Sequence, residues 1–198
     1  MADVTVREDG GVRIVQVGPM GPYGNNAYIV RDVAAGASLL VDMPLDKGPL
    51  LDAIAAEGGV QQVIATHWHP DHWATYDAVR AATGAPVHVG AVEVNIPPER
   101  VDGRLDDGAE VRVGSIRIGV IHTPGHTPGS ISLRVGSALI SGDTLFKGGP
   151  GKTFAAGDLD VAEVFVQGRA DLCHRRSQCR LIAVAIAEDE VSRQAAKE

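Results

Sequence analysis

Three histidines and an aspartate fall within six consecutive positions, in the stretch Thr66-His67-Trp68-His69-Pro70-Asp71-His72-Trp73. Neutral imidazole nitrogens and carboxylate oxygens together suit a divalent ion of the zinc or iron type. His67 and His69 sit two apart, so an extended backbone points both rings the same way, a chelating arrangement. Pro70 favours entry into a helix whose first turn carries Asp71 and His72. Two later segments extend the pattern: His122-Thr123-Pro124-Gly125-His126-Thr127-Pro128-Gly129-Ser130 and Ser141-Gly142-Asp143-Thr144. A carboxylate at Asp143 can bridge two ions and hold them a few ångströms apart. Water bound to such an ion is acidified towards neutrality and supplies hydroxide beside an electrophile, so no serine or cysteine nucleophile is required. Hydrolysis of an activated electrophile is the chemistry such a centre would support. His88, alone in Ala85-Pro86-Val87-His88-Val89, reads as a core or edge residue, and Trp68 and Trp73 read as packing aromatics.

Short β-branched runs between Gly and Pro punctuation must position these groups. Strands are expected at Val12–Val17, Ala27–Val30, Ser38–Val41, Val63–Thr66, Val87–Val89, Glu110–Val113, Ser115–His122, Ile131–Val135 and Ala138–Ser141. Helices are expected at Asp46–Glu57, where Leu50, Leu51, Ile54 and Ala55 mark one face, and at Asp71–Thr83, with Gly84 as its C-cap. The histidine cluster then lies in the loop between a strand and a helix, and His122 and Asp143 stand at strand ends, where a rigid sheet aims side chains from distant parts of a chain.

The chain of 198 residues fits one domain. Its 18 basic and 25 acidic side chains leave a net charge of −7, with no block of Lys or Arg. That balance argues against a nucleic-acid or anionic-membrane partner and leaves a small-molecule substrate. The first ten residues carry Asp3, Arg7, Glu8 and Asp9 and no apolar core of a signal peptide. The longest apolar run, Leu181 to Ala187, is too short to span a bilayer. A cytoplasmic protein is therefore expected, with Cys173 and Cys179 as free thiols.

The H-x-H-x-D-H motif of His67–His72, with His122 in a T-P-G-H-T-P-G-S turn and Asp143 in S-G-D-T-L-F, closely resembles the metallo-β-lactamase fold superfamily. The resemblance covers roughly residues 12–155. It implies an α/β fold, a four-layer αββα sandwich with the metal site at one edge between the sheets. By that resemblance His67, His69 and His122 look like ligands of a first metal, Asp71 and His72 of a second, and Asp143 the bridge; Asp71 would also accept a proton from the nucleophile. Asp42 matches a strand-end aspartate that orients a ligand, and His126 a histidine of the same turn that does not bind metal. Zinc is implied, one ion or two, with iron as the other choice. The commonest β-lactamase subclass places a cysteine where Asp143 stands, and nuclease members carry basic surfaces, so neither activity is expected. The segment Asp143 to Phe154 looks most like the small glyoxalase II-like thioester hydrolases, in which a cation near Lys147 or Lys152 could bind a substrate carboxylate. Two other readings of the same fold stay open: a mononuclear iron sulfur dioxygenase, and a non-catalytic metal-binding member.

Composition changes near residue 157. Of the 24 glycines only Gly168 lies beyond it, and all 11 prolines precede it. Residues 1–157 read as the metallo-β-lactamase-fold domain and 158–198 as an atypical helical tail of that domain. Dinuclear members are expected to supply one more histidine after the bridging aspartate, in a P-G-H-G turn, and the corresponding window here holds Glu188 to Arg193. Three readings remain: one metal only, a replaced C-terminal segment, or His174 or Cys173 as a substitute ligand.

Overall fold

The computed structural model describes residues 2–146 and 149–151. Lys147, Lys152, Cys173, His174, Cys179 and the whole 158–198 tail lie outside the described residues, as does the domain boundary expected at 157. The chain forms two principal sheets. The first has seven strands in sequence order: β1 (Asp3–Asp9), β2 (Val12–Met20), β3 (Asn25–Asp32), β4 (Ala37–Val41), β5 (Gln62–Ile64), β6 (Val87–Gly90) and β7 (Gly103–Leu105). Strands β1 to β4 pair antiparallel and β4 to β7 parallel. The second is antiparallel, ordered β11 (Ala138–Ile140), β10 (Ile131–Val135), β9 (Ile116–His122), β8 (Glu110–Val113). A two-residue hairpin, β12 (Leu145–Phe146) with β13 (Gly149–Pro150), follows.

Alternation along the strands decides which residues go inside. In β9, Ile116, Ile118 and Val120 are buried while Arg117 faces water. These residues meet Ile14, Tyr28, Val30, Leu39, Val41 and Ile64 of the first sheet to form the core between the sheets. The other face of the first sheet, with Val15, Val17, Ile29, Leu40 and Val63, packs against two helices, α1 (Lys47–Ala56) and α2 (Tyr76–Thr83). Among the described residues, two sheets and these helices make the mixed α/β sandwich anticipated for the fold.

Among the elements that differ from the sequence expectation, three have a plain physical cause. Strand β1 was not anticipated, because its residues are mostly charged and all exposed; it is an edge strand held by pairing to β2 through a Gly10-Gly11 turn with φ of 56° and 88°. Strand β7 is three residues long and opens on a glycine, too short to leave a periodic signal. The helix expected over Asp71–Thr83 is broken into a 3-10 turn at Pro70–His72 and α2. Main-chain bonds cause the break: Met43 N–H donates to His72 O at 2.7 Å and Thr75 N–H to Met43 O at 3.0 Å, holding residues 72–75 against the end of β4.

Candidate metal centre

The site collects at one edge of the sandwich, where β4, β5, β9 and β11 end. Beyond β4, Asp42 adopts a left-handed conformation, φ 62°, and is almost completely buried. Non-glycine residues rarely hold this conformation, although aspartate tolerates it better than most. The turn aims its carboxylate at the residues after β5. Oδ1 accepts the Thr66 N–H at 2.7 Å, and Oδ2 accepts the Thr66 hydroxyl and His72 Nδ1–H, each at 2.9 Å. Because the Thr66 hydroxyl spends its proton on Asp42, its oxygen accepts from His67 Nδ1–H at 3.1 Å. His67 and His72 are thus both held through Nδ1, and both turn Nε2 into the site. Orientation of imidazoles through the nitrogen that does not bind is how metal centres fix their ligands.

The two sheets meet here through an Ile131 N–H bond to Thr66 O at 3.0 Å. Gly142, φ 51°, opens the 3-10 turn Gly142–Thr144 that presents Asp143; a Cβ on it would lie 2.6 Å from Thr66 Oγ1, so only glycine lets this turn approach. The turn after β9 folds back on itself through Thr123 N–H to Ser130 O at 2.8 Å and the Thr127 and Ser130 hydroxyls, also 2.8 Å apart.

Five groups converge as a result. His67 Nε2 lies 3.1 Å from His69 Nδ1, which lies 2.8 Å from His126 Nε2. Asp143 Oδ1 is 3.1 Å from His72 Nε2, and its Oδ2 is 3.5 Å from His126 Nε2. Two groups with metal-holding spacing follow among the described residues, His67–His69–His126 and His67–His72–Asp143. The spacing fits an ion: zinc–nitrogen bonds of about 2.0–2.1 Å place neighbouring donors about 2.9–3.4 Å apart. His72 Nε2 adds a second sign, since it is buried and satisfied by no hydrogen bond, with the Asp143 carboxylate 3.1 Å away.

Electrostatics divide the rings. Burial, reinforced by His72, His126 and His69, holds His67 far below the usual histidine range, so it is neutral and able to ligate. Burial and His126 also lower His69. Burial pushes His72 down as well, but Asp42 and Asp143 outweigh it and hold the metal-free ring well above its usual value. Asp143 is itself pushed up by burial and drawn down further by His72, His126 and His69.

At the H-T-P-G-H-T-P-G turn the structure brings a different histidine into the cluster from the one expected. His122, expected as a ligand, donates Nε2–H to Pro128 O at 2.8 Å and stands outside both groups. His126, expected to stay off the metal, is buried and lies with His67 and His69 in one of the two groups. The repeat offers two equivalent histidines, and strand-end position favours the first; the fold-back of the turn selects the second. Asp71 lies beside the groups rather than in them, its Oδ2 3.9 Å from His72 Nε2. Asn25, which sequence reasoning missed, donates Nδ2–H to that same oxygen at 2.7 Å. Thr66 was missed as well, although it directly precedes the motif. His88 lies in β6 outside both groups. Trp68 and Trp73 pack on Ala65, Val89 and Ile96, with Trp73 Nε1–H donating to Trp68 O at 2.8 Å.

A sequence model of the metallo-beta-lactamase superfamily matches residues 20–176. The chain belongs to that superfamily. Among curated superfamily relatives, the hydroxyacylglutathione hydrolase of Fuscovulum blasticum is 40% identical over 134 residues, 66% of this chain and 51% of that protein. The chain thus spans about half the length of the curated relatives it matches. Among solved structures, BLEG-1 B3 metallo-beta-lactamase superposes with a TM-score of 0.69 at 27% identity, covering 79% of this chain and 84% of that one. TTHA1623 in a di-iron-bound form gives 0.64 at 25% identity, covering 77% and 84%. No helix among the described residues is long and apolar enough to cross a membrane.

Proposed function

We propose that this chain is a metal-dependent hydrolase that opens an activated carbonyl compound, a thioester of the glyoxalase II type, with water. The observation that carries the reading is the convergence of His67 Nε2, His69 Nδ1 and His126 Nε2 at 2.8–3.1 Å, beside His72 and Asp143. His67, His69 and His126 would hold one zinc or iron ion, and His72 and Asp143 complete the second group. A divalent ion bound there supplies a water acidified towards neutral pH and a Lewis-acid contact for a carbonyl oxygen. Asp42, acting through Thr66 and His72, keeps the ligating nitrogens aimed. Asp71, partly exposed at the rim, accepts a proton as water attacks the carbonyl carbon and the thiolate leaves. The likeness to hydroxyacylglutathione hydrolases supports a glutathione thioester over a β-lactam, as does an aspartate rather than a cysteine at position 143.

The test is purification, elemental analysis and an assay on glutathione thioesters, lactones, β-lactams and phosphate esters. Chelator-sensitive release of free thiol from the thioester is expected, with bound zinc or iron. Protein that carries metal yet turns over only β-lactams or phosphate esters overturns the substrate class, and protein that takes up no metal overturns the hydrolase itself.

A further inference from the structure

Asn25 opens β3 opposite Met20, directly past a break in register between Val17 and Met20 on β2. That places it far from the histidine motif in sequence and against it in space. The side chain is buried, and Nδ2 donates to Asp71 Oδ2 at 2.7 Å and to the Asp71 main-chain carbonyl at 3.3 Å. Its own Oδ1 is buried without a partner. Turning the amide over would set Oδ1 against two acceptors of Asp71, so the chemistry fixes the orientation with the donor on the carboxylate. A buried acceptor left unmade is costly, and an asparagine serving only the sheet would satisfy both ends. The two bonds to one residue instead lock side chain to main chain in Asp71 and hold its Oδ2 3.9 Å from His72 Nε2.

We propose that Asn25 is a positioning residue that acts through Asp71, fixing the carboxylate at the rim of the metal centre so that Oδ1 is the oxygen left to face an ion held beside His72 and Asp143. This inference rests on the metal reading above. The test is a double-mutant cycle of Asn25→Ala and Asp71→Ala, singly and together, read by Co(II) affinity and the visible Co(II) spectrum, with thermal unfolding of the metal-free proteins in parallel. Asn25→Leu, which keeps the volume and lacks the donor, is the second variant should the cavity in Asn25→Ala impair folding. Either Asn25 variant is expected to weaken Co(II) binding about tenfold and shift the spectrum, and to change both less than about twofold once Asp71 is already alanine. An equal loss in the two backgrounds, or none in either, overturns the inference while leaving the metal reading intact. Wild-type protein that takes up no Co(II) overturns the metal reading and this inference with it.

Discussion

Replacing each histidine of the doubled turn separately tests the centre most directly. His126 Nε2 lies 2.8 Å from His69 Nδ1 and within 3.5 Å of Asp143 Oδ2, inside the donor set. Structural zinc sites with four donors bind with roughly 10–16 kcal/mol, or about 3 kcal/mol per donor. His126→Ala should therefore weaken zinc binding on the order of a hundredfold. His122 makes one bond through its ring, to Pro128 O. Such a bond contributes about 1 kcal/mol net, so His122→Ala should lower the stability of the fold by about that much and change zinc affinity less than about threefold. Competition with a chromophoric chelator measures the affinities, and urea unfolding of the metal-free proteins measures the stabilities. Loss of zinc in His122→Ala with retention in His126→Ala would refute the reasoning and restore the assignment that strand-end position suggests.

Asp42→Asn keeps the shape and tolerates φ 62°, but puts an NH2 group where one of the acceptor oxygens stood. It should cost about 2–3 kcal/mol of stability and weaken metal binding about 10–100-fold, read by urea unfolding and chelator competition; unchanged affinity would remove Asp42 from the orienting chain. Asp32 supplies a pH prediction. The Ala35 N–H and the Ser115 hydroxyl and N–H pull its pKa from 3.8 down to about 2. A depressed carboxylate stabilises the fold fully above its unfolded value and loses that contribution as pH falls through about 2. Urea midpoints between pH 5 and 2 should therefore fall in the native protein, and Asp32→Asn should flatten that part of the curve.

The strands were legible where alternation was strong. Glu110–Val113 and Ile131–Val135 lie where apolar periodicity sets them, since each has one face in the core. The helix at 71–83 was not, because its break is made by Met43, a residue distant in sequence whose main chain competes for the bonds a helix would use. The same limit governs the site. A motif as dense as His67–His72 declares its chemistry locally, and the strand-end Asp143 follows from the pattern around it. Which histidine of the doubled turn faces inward depends on hydroxyl and main-chain bonds that close the turn, and these leave no periodic trace. Asn25 carries no signal either, since an asparagine at a strand start ordinarily serves a turn.

The bond from Ile131 to Thr66 across the two sheets also bears on how the protein reaches its folded state. Asp42, His67, His126 and Asp143 come from four separate strand ends, and the parallel pairs β4–β5–β6 are closed by long crossovers. Loop-closure entropy must be met before such non-local contacts form. The donor set is therefore complete only after both sheets have docked, and an ion offered to the collapsing chain finds at most the local donors of the His67–His72 motif. Loading follows folding, so uptake of metal during refolding reports the final docking step rather than guiding the early ones.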